Sequence, residues 1–133
     1  MATIRRLIPT ENQEQRALVQ WIRIHSILRD FIVKLNNEGK RNQFQGYNLK
    51  RMGMMPGASD LFLAYPTARH HGLWLEVKQN RKYKPSEKTK SSFVAQKLFL
   101  ERMISVGFAG EFCYGFDHGR RVIESYLLTV ASV

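Results

Sequence analysis

Two short apolar runs, residues 61–65 (Leu-Phe-Leu-Ala-Tyr) and 73–77 (Leu-Trp-Leu-Glu-Val), are separated by a connection that contains Pro66 and Gly72. Such runs, bounded by turn-forming residues, are too short for buried helices and have the composition of central strands. They are therefore expected to pair as an antiparallel hairpin. A sheet with apolar strands must be covered on both faces, and the rest of the chain supplies the helical spacing to cover it. Ala17, Leu18, Trp21, Ile22, Leu28, Ile32 and Leu35 recur at the three-and-four spacing of a helix with one buried face. Thr10 is placed to cap its start, and Glu11 and Glu14 suit the positive end of its dipole. The turn-forming stretch 36–41 stops this helix and leads to an expected short strand near 43–45. Residues 53–59 contain Pro56 between two glycines and read as a loop. From Ser92 a second helix is marked by Phe93, Val94, Leu98, Met103 and Ile104 and closed by Gly107. Residues 108–116 read as a third strand and 123–128 as a terminal helix. The order defines an α/β sandwich in which helices flank a central mixed sheet, in one domain spanning 1–133 with an N-terminal arm at 1–9.

At 133 residues and 44% apolar composition, one core is expected. No stretch approaches the eighteen apolar residues of a membrane span and no signal core follows Met1, so a cytoplasmic location is expected, that of the host if the chain is phage-encoded. Cys113 is the only cysteine, which excludes an internal disulfide and a cysteine-rich zinc site. The 21 Lys and Arg against 11 Asp and Glu give a net charge of +10, a field that attracts polyanions and makes nucleic acid the expected partner. A membrane surface would need an amphipathic helix with one basic face, and none is present.

In the run 73–78, side-chain alternation puts Glu76 and Lys78 on one face and Leu75 and Val77 on the other. Two charges on so apolar a strand are costly to desolvate unless they meet each other, a metal or a phosphate. Alone, this pattern is more often a surface ion pair. Asp60 strengthens it, because a hairpin brings the mouth of the preceding strand to the same sheet edge. Two neighbouring carboxylates repel, and a hard cation such as Mg²⁺ relieves that repulsion while retaining positions for water and phosphate oxygens. Lys78 would then neutralise charge growing on an attacked phosphate or help deprotonate the attacking water.

Pro56, Gly57, Asp60, Glu76, Val77 and Lys78 together resemble the Pro-Asp, Asp/Glu-x-Lys signature of the restriction-endonuclease-like nucleases. More narrowly, the chain resembles the short stand-alone phage and bacterial members of the VRR-NUC family. The similarity runs through residues 11–21, 37–41, 52–63 and 72–78, Gln96 with Gly107, and Tyr126 with Leu127. It implies a single restriction-endonuclease-like domain that hydrolyses DNA with Mg²⁺, for which Mn²⁺ would substitute. Implied metal ligands are Glu11, Asp60, Glu76 and the carbonyl of Val77, and the implied catalytic set is Asp60, Glu76, Lys78, Glu11 and Gln96. The family's Glu four residues before a Gln selects Glu11 and Gln15, with Glu14 the alternative acid on the same helix. Arg41 ends a Gly-containing turn and would hold a phosphate. The usual Pro-Asp pair is broken by Ser59, which leaves the ligand itself in place.

The segment 79–91 carries Arg81, Lys82, Lys84, Lys88 and Lys90 without apolar periodicity. It reads as a mobile basic loop that leaves directly from the active-site strand and would clamp DNA. His25, His70, His71 and His118 lack metal-binding spacing, and Trp21, Phe99 and Phe108 read as core residues. No phosphate-binding glycine loop, dinucleotide fingerprint or nucleophilic Ser elbow is present, so no small-molecule cofactor is expected. With no sequence-reading element in so small a chain, branched or structured DNA is the expected substrate. The resemblance to Holliday junction resolvases implies a homodimer, and Phe112, Tyr114, Phe116 and Tyr126 exceed what one sheet needs and would form its interface. A monomeric nickase or flap nuclease, an RNA-processing enzyme and a non-catalytic nucleic-acid-binding module are the competing readings.

Overall fold

Thr10 starts the first helix, as its sequence suggests. Its hydroxyl accepts the Gln13 amide at 3.2 Å while its own amide donates to the Gln13 side chain at 2.9 Å, a reciprocal cap that opens α1 (Glu11–Ile24). The computed structural model describes residues 7–35, 51–53 and 55–129, so the strand expected at 43–45 and Arg41 lie outside the described residues.

The first helix was expected to run to Leu35, and it does not. His25 ends it, its Nδ1 reaching forward to accept the amides of Ile27 at 3.1 Å and Leu28 at 3.2 Å. A single 3₁₀ turn, Leu28–Asp30, then buries Leu28, and the β-branched pair Ile32 and Val33 enters strand β1 (Ile32–Lys34). Apolar positions spaced three and four apart were shared between a helix, a turn and a strand.

Strands β2 (Leu61–Leu63) and β3 (Leu73–Lys78) form the expected antiparallel hairpin, with Leu61 opposite Leu75. β1 pairs antiparallel with β2, and β4 (Ala109–Tyr114) pairs parallel with β3, giving the mixed order β1-β2-β3-β4. Residues 79–91 are not simply a mobile loop. They contain a short helix, α2 (Pro85–Lys88), with proline at its first turn and the Lys84 amide donating to Glu87 at 2.9 Å. Arg81 grips the Glu87 carboxylate at 2.7 Å and lies over the Tyr83 ring at 4.0 Å. The crossover to β4 is α3 (Ser91–Ser105), and the chain continues into α4 (Phe116–Leu128), which starts seven residues before its expected position. The early start follows from a cap supplied by the first helix: the Glu14 carboxylate accepts the Phe116 amide at the positive end of α4.

The sheet has two unlike faces. Leu61, Leu63, Leu73, Leu75, Val77 and Cys113 pack with Leu18 and Ile22 of α1 and Ile123 and Tyr126 of α4, forming the aliphatic core. The opposite face is aromatic: Phe62 stacks on Trp74 at 4.3 Å, Trp74 meets Phe99 of α3 edge-on, and Phe93 of α3 stacks on Phe112 at 5.0 Å. The aromatics proposed for a dimer interface have partners within the chain. Tyr126 is buried and donates to the Tyr65 carbonyl at 2.6 Å, Tyr114 stacks on His118, and Phe116 packs against the core.

Candidate active site

The hairpin register sets the chemistry. Because Leu61 faces Leu75, Asp60, one residue before β2, lies beside Glu76, one residue further along β3. The Leu35 amide donates to the Asp60 carbonyl at 2.8 Å, which continues the β1–β2 ladder to this point. Alternation then places Glu76 and Lys78 on the aromatic face, under α3, while Val77 enters the aliphatic core.

Glu76 is 2% exposed, and its Oε2 has no hydrogen-bond partner among the described residues. Burial, reinforced by the charge of Asp60 and opposed by Lys78, pushes its carboxyl up to about 8; Glu11 adds a smaller upward push. Lys78 is 8% exposed, its Nζ 4.0 Å from Glu76 Oε1. Its short contact, at 2.6 Å, is to Gln96 Oε1 on α3, and the ammonium also lies 5.1 Å from the centre of the Phe93 ring.

The loop before Asp60 reaches α3 at the same point. Gly57 has φ +79, and a Cβ there would collide with the backbone of Ala95 and Gln96. Only a glycine lets the loop sit against the helix turn that carries Gln96. The sequence had shown a Pro-Gly turn without showing what it approaches. Ser59, between this glycine and Asp60, is fully buried.

The two acids of α1 part company. Gln79 donates to the Pro9 carbonyl at 3.1 Å, tying the start of α1 to the residue that follows Lys78, and Glu11 is near enough to raise the Glu76 carboxyl. Glu14 instead is 8% exposed and spends its carboxylate on the Phe116 amide, a cap that its sequence neighbourhood does not signal. Gln15 is buried on α1. The Ala109 amide donates to the Gly72 carbonyl and the Gly115 amide to that of Lys78, so by alternation the Val77 carbonyl points away from β4, to the β2 side of the sheet.

Among the described residues, no three His, Cys, Asp or Glu side chains form a ready metal cage. Asp60 and Glu76 make a two-carboxylate site, the number with which Mg²⁺ is commonly held while it keeps several waters. A cation bound there would partner the orphaned Glu76 oxygen and offset the repulsion that raises its carboxyl, so the residues fit the group.

The basic side chains after β3 divide. Arg81 is committed to Glu87, whereas Lys82, Lys84, Lys88 and Lys90 are exposed. His25 caps a helix and His118 accepts the Tyr114 amide at 2.9 Å, so both act in the fold. No described helix is long and apolar enough to cross a membrane.

A four-stranded mixed sheet with helices on both faces is the α/β arrangement expected from the sequence. A solved structure described as a VRR_NUC domain protein shares this fold, with a TM-score of 0.72 over 95% of this chain and 93% of that one, at 24% sequence identity. No family model matches the sequence, and no curated protein does.

Proposed function

We propose that the chain is a metal-dependent endonuclease that hydrolyses DNA phosphodiester bonds. The observation that carries this reading is Glu76, a carboxylate held out of water on a central strand with one oxygen unpartnered, beside a second carboxylate and a buried ammonium. A fold gains nothing from leaving such a group unpaired, whereas a cation site needs it. Asp60, Glu76 and the Val77 carbonyl would hold Mg²⁺ or Mn²⁺, with Glu11 the helix-borne third acid. Bound there, the ion supplies positive charge to a phosphate and acidifies a coordinated water.

The chain's own residues do the rest. Lys78 stands where negative charge grows on the phosphate, and burial strengthens that interaction. Gln96 fixes the ammonium by accepting one of its hydrogens, leaving two to donate. The Phe93 ring walls one side against water. Lys82, Lys84, Lys88 and Lys90 follow this strand directly and would hold the backbone on either side of the cut. The fold shared with a VRR_NUC domain protein supports the nuclease reading.

The test is cleavage of labelled branched and linear DNA in Mg²⁺ and in chelator. Cutting is expected only with metal. Lys78→Ala and Asp60→Ala should lower it at least about a hundredfold while binding in Ca²⁺ persists. Full activity in either variant would refute the assignment. For substrate we infer branched DNA cut by a twofold pair of chains, since a reader of sequence is missing among the described elements and a symmetric junction needs two matched sites. A particle that is monomeric at micromolar concentration yet cuts junctions symmetrically would remove that pair.

A further inference from the structure

A groove of about 460 Å³ runs along α1 on the aliphatic side of the sheet, lined by polar and basic residues (Asn12, Gln15, Arg16, Gln20, Arg23 and Lys34) and by Val19. Asn12, Arg16, Val19, Gln20 and Arg23 lie at helical spacing and form one stripe of α1 about 16 Å long, at 1.5 Å per residue. Arg16, Arg23 and Lys34 are exposed, and neither Arg16 nor Arg23 takes part in an ion pair among the described residues. Among the described residues, no carboxylate lines the groove.

Its placement is more informative than its charge. One end starts at Asn12 and Gln15, beside Glu11. Lys34 pairs with Leu61, the residue after Asp60. The groove thus lies between the two elements whose ends flank the carboxylate pair, α1 and β1. The basic segment after β3 leaves the same sheet end two strands away, about 10 Å across the sheet at the usual strand spacing.

We propose that this groove holds the phosphate backbone of a duplex DNA arm leading away from the active site; the proposal rests on the nuclease reading above. Arg16 and Arg23, with no ion pair among the described residues, stand with the exposed Lys34 in a line that suits a run of phosphates, and the amides of Asn12 and Gln20 are side chains that commonly complete such contacts. A single-stranded occupant would call for aromatic faces on which bases stack, and the lining contains none. A stripe of about 16 Å spans several phosphates at 3.4 Å of rise per strand residue. With Lys82, Lys84, Lys88 and Lys90 across the sheet, the active site would lie between two backbone-holding surfaces, which suits a substrate with arms diverging from the cut.

The test uses the full chain carrying Arg16→Gln, Arg23→Gln and Lys34→Gln, with circular dichroism to verify folding. A charge-matched control carries Arg29→Gln, Arg69→Gln and Arg121→Gln. Binding to a branched DNA with duplex arms is measured in Ca²⁺ across roughly 50 to 200 mM salt. The groove variant should show a logarithmic salt slope shallower by about 2.7, at 0.9 per phosphate, and the control a slope close to the unmodified protein. Shortening one duplex arm stepwise should weaken the unmodified protein and leave the groove variant indifferent. Equal slope changes in both variants, or none in the groove variant, would overturn the proposal. DNA bound by the unmodified protein but never cut would overturn the nuclease reading while leaving the groove to stand on its slopes; no binding at all would overturn both.

Discussion

Glu76 sits where a proton is hard to lose, and this has a sign that can be worked out. Its carboxyl is raised from 4.5 to about 8 in the metal-free fold. Between those values the native chain binds more protons than the unfolded one, so metal-free stability falls as pH rises through this window and levels off above it. The total is on the order of a few kcal/mol. In chelator, the melting temperature should decline from pH 5 to pH 8 more steeply in the unmodified protein than in Glu76→Gln, which has no proton to lose. Parallel curves would contradict the assignment. Magnesium bound at Glu76, as proposed, would displace that proton, so the rise in melting temperature it produces should grow with pH. Gln96 yields a second expectation. Gln96→Ala removes the acceptor that holds Lys78 at 2.6 Å, and the ammonium is left to the 4.0 Å contact with Glu76. Cleavage should drop on the order of a hundredfold with DNA affinity in Ca²⁺ unchanged, because misplacing a reacting group by about 1 Å costs that much. Loss of affinity in step with rate would instead mark Gln96 as a DNA contact.

The loop before β2 owes its position to one backbone. Gly53 and Gly57 both have positive φ, but an added Cβ meets nothing among the described residues at Gly53 and the Ala95 and Gln96 backbone at Gly57. Gly53→Ala should therefore cost only the strain of a left-handed alanine, about 1–2 kcal/mol. Gly57→Ala should cost roughly 1–3 kcal/mol more and depress cleavage, because the loop carrying Asp60 must leave α3. Urea midpoints of the two variants give the comparison, and equal shifts would show that the close approach has no weight. These contrasts also show where the sequence was informative. Asp60, Glu76 and Lys78 were legible because a hairpin with known alternation places them, and Gln96 because of a resemblance. The break at His25 was not, since a side chain accepting two amides leaves no mark in apolar periodicity and Ile32 and Leu35 kept the helical spacing. The start of α4 at Phe116 was hidden for a related reason: its cap comes from Glu14, far off in the chain. The order within 79–91 was missed because one Glu87 among five cations looked outnumbered, yet it holds both the Arg81 guanidinium and the Lys84 amide.

Across the whole molecule, the sheet is assembled largely from neighbours in sequence, whereas α1 and α4 come from distant parts of the chain and pack on the same aliphatic face. The contact between Glu14 and Phe116 spans 102 residues. Closing a loop of that length has an entropic cost that must be met before the contact returns anything, so it is expected to form after the β2–β3 hairpin and the β3–β4 pairing. A contact absent from the transition state leaves the folding rate alone and governs escape from the native state. Glu14→Ala, which strands the Phe116 amide at a cost of about 1–3 kcal/mol, should speed unfolding roughly tenfold or more and change refolding little. Stopped-flow unfolding and refolding in urea separate the two limbs, and a slowed refolding limb would place the clasp in the folding nucleus instead. On that expectation the Glu14 carboxylate is a latch on the lifetime of the folded chain, setting how long the sheet end that carries Asp60 and Glu76 persists once made.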